Sequence, residues 1–313
     1  MRGLVVNESM KIYSQKLTWI LLLLLVAITI AASVVGKTDG IKTNTGNWRA
    51  ETTQLVRQYE ERLKISELSS TLRADTENKL MIAEYRLVND IPTPPGNPWS
   101  ALLNFSGLVE IVIIFAIIIA ADMVAGEYTA GTMKLLLIRP HSRTKILFSK
   151  YIAVSLFAIL MLALLVVCGY ATNVMLYGPS DIHKTDLFLN QHGQIIQQKV
   201  VMQVIKMYGL SIFPIMGYVT FAFAISTILR NSALSVGISL FIMIAGNSMI
   251  EVTAKMEWLK YLPFANSDIS LYLFNLPARP EMTLGFSISV LIVYIIALSL
   301  ISWLIFTKRD VSM

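Results

Sequence analysis

Cysteine is almost absent from this chain: among 313 residues there is one, Cys168, set inside an apolar run. A single thiol allows no internal disulfide and says nothing of a redox compartment. In such a setting it acts as a small apolar residue. Histidine is nearly as scarce, with three copies at His141, His183 and His192. No two of them stand at helical spacing and none has a cysteine partner, so the residues for a metal centre are missing. No cofactor is expected. Charged residues make up only 15% of the chain, against roughly 25% in soluble domains. Enzyme motifs are missing too: there is no H-E-x-x-H and no G-x-S-x-G, which leaves a membrane hydrolase without support. Gly126 and Gly131 have the glycine spacing of a P-loop, but Thr132-Met133 follows where Lys and Ser/Thr must hold phosphate and magnesium. The chain therefore has no ATP site of its own, is not expected to be an enzyme, and needs a partner if ATP drives it.

Apolar residues are what it does have. They form 55% of the sequence, and the mean hydropathy is +0.63, as in an integral membrane protein. Six segments approach the roughly 20 residues that cross about 30 Å of hydrocarbon as helix: Leu17–Val35, Leu103–Ala121, Tyr151–Asn173, Val204–Leu229, Ala233–Ile250 and Leu284–Thr307. The fold expected is an all-α polytopic membrane domain covering residues 1–313. Ala31-Ala32-Ser33 resembles a signal cleavage site, but the preceding apolar run is too long for a signal peptide and reads as an anchor. With the N-terminus inside, the inner segments hold eleven basic residues against four acidic ones. Inner loops rich in Lys and Arg set orientation, so both termini are expected in the cytoplasm of a cell-membrane protein. The net charge of +6 follows from that topology rather than from nucleic-acid binding.

The first outer segment, 36–102, opens on a Gly/Thr/Asn linker and then shows apolar positions at steps of three, four and seven from Trp48. That spacing predicts helices over about 47–64 and 75–89, folded into a hairpin outside the membrane, or one long helix instead. Four prolines between Ile91 and Pro98 then demand an extended connector. The hairpin is either a spacer or a receptor. Glu110 falls within the second apolar run, where a carboxylate must face a wet cavity or the protein interior, or else snorkel to the headgroups. The stretch Asp186–Gly193 fits either a short strand or a turn. Short interfacial helices suit the aromatic and proline-rich segment Glu251–Gly285. Pro214 and Gly217 permit a kink in the fourth span, and Gly237 and Gly246 permit close approach around the fifth.

The largest polar segment on the inner side is Asp122–Lys150. Its pattern suggests a short surface helix, a stop at Pro140, and a fresh helix capped by Ser142. As residues alone this is either a handle for another protein or an amphipathic connector. Glu127-Tyr128-x-x-Gly131-Thr132-x-Lys134, followed by Pro140-x-Ser142-Arg143, resembles the coupling segment of type 2 ABC transporter permeases. Tyr128 stands where many members carry Arg, and Phe306-x-Lys308-Arg309-Asp310 resembles the family's usual ending. The resemblance implies a bacterial permease that pairs with a second copy or a paralogue. It also implies a separate ATP-hydrolysing subunit, in two copies, that works the segment as a cytoplasmic coupling helix. In that frame Glu127 makes a charged contact or terminal anchor, Gly131 allows close backbone approach, and Arg143 engages lipid phosphates or an acidic partner surface.

The function expected is therefore the membrane subunit of an ATP-driven exporter of an amphipathic or peptide-like cargo. A membrane sensor or immunity protein that binds a peptide through its outer hairpin is the alternative. A secondary transporter is disfavoured, because internal inverted repeats and buried ion-coupling charges are both lacking.

Overall fold

The structure, a computed structural model, describes residues 1–39, 47–65, 68, 70–94, 96–132, 141–190, 193–252, 256–276, 279 and 281–308. Ten α-helices are described: α1 (Arg2–Ser14), α2 (Lys16–Asp39), α3 (Trp48–Leu63), α4 (Ser70–Val88), α5 (Pro98–Leu103), α6 (Leu108–Thr129), α7 (Arg143–Tyr177), α8 (Val200–Leu229), α9 (Ser232–Val252) and α10 (Leu284–Lys308). Among the described residues, five of them are long and apolar enough to cross a membrane: α2, α6, α7, α8 and α10. The chain is thus a mostly helical, multi-pass membrane protein. Helix α9 has 21 residues, but its described apolar part, Ser232–Gly246, is shorter than the other five.

Helix α6 sits at the centre, packed chiefly on α8 and also on α7 and α9. Twelve of its side chains, from Val109 to Ala125, are buried. With lipid as solvent, apolar contact alone gives helices little reason to associate, so polar and small residues fasten them. The Tyr151 hydroxyl meets Thr220 at 2.7 Å, and Tyr208 donates to the Leu102 carbonyl at 3.0 Å. The Ser226 hydroxyl accepts from the amides of Val124 and Ala125. Gly246 allows the close approach expected of it, since a Cβ there would lie 2.5 Å from the Phe264 ring; Gly237 has nothing within 4 Å. Helix α8 runs through Pro214 without interruption. Helices α2 and α10 lie at the periphery and turn Leu23, Ile20, Val293 and Leu300 outward.

Several boundaries differ from the sequence expectation, each for a local reason. The second spanning helix begins at Leu108, not Leu103, because Asn97 caps a separate short helix, α5, with Pro98 at its first position. It also runs on to Thr129, so Glu127 and Tyr128 belong to its last turn and not to the start of a surface helix. The rest of the expected surface helix, 133–140, lies outside the described residues, and Lys134 and Pro140 with it. Helix α7 starts at Arg143 behind the Ser142 cap and extends for 35 residues, about 52 Å at 1.5 Å per residue. It is longer than the bilayer core, so part of it stands clear of hydrocarbon.

Among the described residues, the chain departs from helix in the stretch that fits either a short strand or a turn. Thr185–Leu189 and Ile195–Lys199 form a two-stranded antiparallel sheet, with Leu187 opposite Gln197. At the same end of the molecule, α3 and α4 lie side by side, and Arg73 reaches the carbonyls of Leu63 and Ile65. Arg86 of α4 pairs with Asp186 of the first strand, and Asn78 donates to the Phe274 carbonyl at 2.8 Å. Three 3₁₀ helices, Glu257–Tyr261, Phe264–Asn266 and Ile269–Phe274, fill the segment before α10.

Candidate functional site

Four charged side chains meet where α1, α6 and α7 converge. Lys150, fully buried on α7, places its ammonium 2.8 Å from Glu8 of α1 and 2.6 Å from Glu127 of α6. Lys11, one turn beyond Glu8, lies 2.9 Å from Glu8 and 2.7 Å from the same Glu127 oxygen. Two carboxylates and two ammonium groups thus close a neutral ring. Removing such charges from water costs several kcal/mol each, and the cost is recovered only when the partners are close and well oriented. Each lysine here touches both glutamates. Burial alone would lower the Lys11 ammonium, yet hydrogen bonds to Glu127 and Glu8 outweigh it and hold the group above the ordinary 10.5.

Local chemistry sets this geometry. Gln15 is extended and breaks the chain between α1 and α2. Thr18 and Trp19, in the first turn of α2, then donate to the carbonyls of Ile12 and Tyr13 at the end of α1. Those bonds fold α1 back against α7 and aim Glu8 at Lys150. Helix α6 ends in a Schellman motif: the Thr132 amide bonds the Glu127 carbonyl and the Gly131 amide bonds that of Tyr128. Gly131 takes φ +70°, and a Cβ there would meet nothing within 4 Å. The left-handed backbone by itself calls for a glycine there. Glu127 carries a negative charge at a helix C-terminus, where the macrodipole disfavours an acid. The two lysines offset that, so its partners lie within this chain.

The remaining expected site residues are dispersed around this ring. The Tyr128 ring lies 4.6 Å from the Arg230 guanidinium, which ends α8 in a left-handed conformation. Tyr128 is therefore the platform for a cation from another helix. Ser142 accepts from the Lys145 amide as the cap of α7. Arg143 donates to the Thr307 carbonyl at 3.3 Å and Trp303 to Thr144 at 3.1 Å, which ties the end of α10 to the start of α7. Thr132 is exposed beside the cap. Arg309 and Asp310 of the C-terminal motif lie outside the described residues.

Beside the ring opens a cavity of about 790 Å³, bounded by Ser14 and Gln15, by Asp122, Gly126 and Thr129, and by Ser232. Asp122 accepts from the Ser232 hydroxyl and, at 3.4 Å, from the side-chain Nε2 of Gln15.

Glu110 stands apart from all of this. Because α6 starts late, Glu110 lies exposed in the first helical turn and not deep in the span. It borders a cavity of about 50 Å³ with Asp268, Ser106, Ser211, Ser267 and Ser270, and no basic residue lines it among the described residues. Burial pushes the Asp268 carboxyl above the ordinary 3.8, partly opposed by hydrogen bonds from Ser270 and from the Ser270 and Leu271 amides. Among the described residues, no group of three or more His, Cys, Asp or Glu could hold a metal ion.

Comparison with known proteins gives the chain a family. Residues 71–312 match the model of DUF2705, described as a protein family of unknown function. The chain belongs to DUF2705. The match runs from α4 to the end of α10 and takes in Glu127 and Lys150 but not Glu8 or Lys11. A relative from Bacillus subtilis (strain 168), "Uncharacterized protein YhcI", is 31% identical over 315 residues and covers the whole of both chains, α1 included. "Uncharacterized membrane protein YdbK" of the same organism is 29% identical over 198 residues, covering 62% of this chain and 76% of that one.

Proposed function

We propose that this DUF2705 protein is the membrane subunit of an ATP-driven exporter resembling the type 2 ABC permeases, moved by a separate nucleotide-binding subunit. The observation that carries the reading is the end of α6. The central helix of the bundle extends to a glycine cap, and its last turn is bound by charge to α1 and α7. A force applied at the segment after Thr132 would reach α6 at one end and α7, through Ser142 and Arg143, at the other. Neither helix could move without its neighbours, because Ser226 holds α6 to α8 and Arg143 holds α7 to α10. Helices with free ends would dissipate the same push.

In this reading α9 also crosses, as the fifth of six spans, and both termini and the charged ring face the cytoplasm. The paired helices α3 and α4 form a hairpin on the outer side. Two ATPase copies serve a pair of permeases, either two copies of this chain or one with a paralogue. The cargo is amphipathic or peptide-like.

Orientation is tested with single cysteines in a Cys168→Ser background. An impermeant thiol reagent should label Thr53→Cys, on α3, in whole cells and should spare Lys145→Cys. The reverse pattern would place the ring away from any cytoplasmic ATPase and end the proposal. Function is tested by co-purifying the chain with ABC ATPase subunits and measuring ATP hydrolysis in vesicles as candidate peptides are added. A chain that holds no ATPase would sink the reading.

A further inference from the structure

The ring accounts for both of its lysines but leaves acceptor capacity in the cavity beside it. Glu8 and Glu127 together balance Lys11 and Lys150, so Asp122 gives the cavity lining one negative charge in excess. Asp122 itself has neutral partners, the Ser232 hydroxyl and the distant side-chain amide of Gln15. The second carboxylate oxygen of Glu127, Oε2, is buried and has no hydrogen-bond partner among the described residues. Two helices, α1 and α6, bring their C-terminal ends to this cavity, at Ser14–Gln15 and Thr129–Ala130. The start of α9, at Ser232, opposes them. On balance the helix ends add to the negative potential. Gly126 fits the same picture, since a Cβ there would sit 2.6 Å from an Asp122 oxygen and push the carboxylate aside.

The geometry points to a docking pocket for a basic side chain, an arginine or lysine carried by the partner subunit, with Asp122 and the free oxygen of Glu127 as its acceptors. The identity of the bearer as the ATPase rests on the reading above; the preference for a cation rests on the pocket. Arginine suits it best, because a planar guanidinium can bond two separated acceptors at once. The pocket lies on the same α6 turns as the cap, so an inserted cation would grip the helix that the ring already fixes to α1 and α7.

Two probes separate the parts of this argument, both used on the full chain in lipid nanodiscs. The first is a short alanine-based helical peptide with one central arginine and a photo-reactive group, beside its glutamine and glutamate counterparts. The arginine peptide should crosslink to residues lining the pocket, and salt should suppress the reaction. Asp122→Asn, which keeps an acceptor for Ser232, should weaken labelling tenfold or more, and so should Gly126→Ala, which keeps every charge. Equal labelling by the arginine and glutamine peptides, or labelling indifferent to Asp122→Asn, would overturn the inference. So would an Arg139→Ala chain that gains arginine-peptide labelling, because the chain's own arginine would then be the occupant. The second probe is the purified ATPase subunit. If it binds the wild type and Asp122→Asn equally, the pocket is not its docking point while the export reading stands. If the arginine peptide binds and no ATPase subunit does, the pocket stands and the export reading falls.

Discussion

Breaking the charged ring one residue at a time should release α1, and the size of the effect follows from burial. The side chains of Glu8 and Lys150 are 3% and 1% exposed. Glu8→Leu leaves Lys150 and Lys11 sharing Glu127 alone, a ring of net charge +1. Lys150→Met leaves Lys11 with two glutamates, a ring of −1. Removing one partner of a buried pair costs about 3–5 kcal/mol. Lys150 keeps Glu127 at 2.6 Å in the first variant, so the lower end, about 3 kcal/mol, is expected there. The double variant restores neutrality, with Lys11 facing Glu127, and places two apolar side chains in contact. Its loss should be smaller than that of either single variant, with a coupling of about 2 kcal/mol or more. The readout is amide hydrogen exchange across α1 in nanodiscs, together with thermal unfolding. A 3 kcal/mol loss raises the open population of α1 roughly a hundredfold, at about tenfold per 1.4 kcal/mol. If the two single effects simply add, or if α1 protection is unchanged in Glu8→Leu, the ring is not what holds the helix.

Lys11→Ala should cost no more than about 1 kcal/mol in the same assay, because that lysine is 42% exposed and solvent screens its pairs. Its raised pKa means that its share of stability is complete below 10.5 and is lost as pH rises through the higher folded value. Trp19 emission in wild type relative to Lys11→Ala should therefore stay constant through neutral pH and diverge only in strong alkali. Asp268→Asn should raise the unfolding temperature at pH 7. Burial raises the folded pKa of that acid, so its stability is present below 3.8 and lost as pH rises through the folded value. The advantage of asparagine should fade on acidification, and an advantage that persists at pH 3 would refute the cause. Gly131→Ala should lose about 1 kcal/mol from the left-handed cap, and Gly131→Asn less. Gly131→Leu should cost no more than alanine, since the space around it is open; a much larger loss would point to a neighbour pressing on that site.

Much of the helical frame was legible because spanning helices announce themselves by length and apolarity. The Ser142 cap and the limits of α3 and α8 were readable from the same local chemistry that forms them. Helix α1 was not. Its sequence, RGLVVNESMKIYS, has no clean amphipathic period, because one side meets a buried charge ring and another is exposed at Val6 and Met10. Glu8 and Lys11 at a three-residue step were the available hint. Lys11 meets Glu127 across 116 positions and Glu8 meets Lys150 across 142, and no local pattern links them. The start of the second span was misplaced for a different reason: hydropathy cannot see that Asn97 and Pro98 start a separate helix, which shifts the next one by five residues. In the strand pair, one strand is largely buried and the other largely exposed, so alternation is weak in both.

The corrected place of Glu127 changes what the segment can do. At the start of a surface helix, an acid is favoured by the macrodipole and free to meet a partner. At the end of α6 it is disfavoured, and its charge is committed to Lys11 and Lys150. A partner that pulled Glu127 outward would strand Lys150, which is wholly buried, and would release α1 at the same time. Glu127 is thus better suited to resist displacement than to recognise a surface. In the docking pocket proposed above, recognition would fall to the spare acceptors on the same turns: Asp122, one helical turn before Gly126, and the second carboxylate oxygen of Glu127. On the proposed reading, a rigid anchor beside an unsatisfied acceptor would divide labour along one helix end, with load borne by the ring and contact made at the pocket. Charge reversal at Glu127 would therefore fail by loosening the bundle, whereas Asp122→Asn would fail by losing the partner, and hydrogen exchange across α1 tells the two apart.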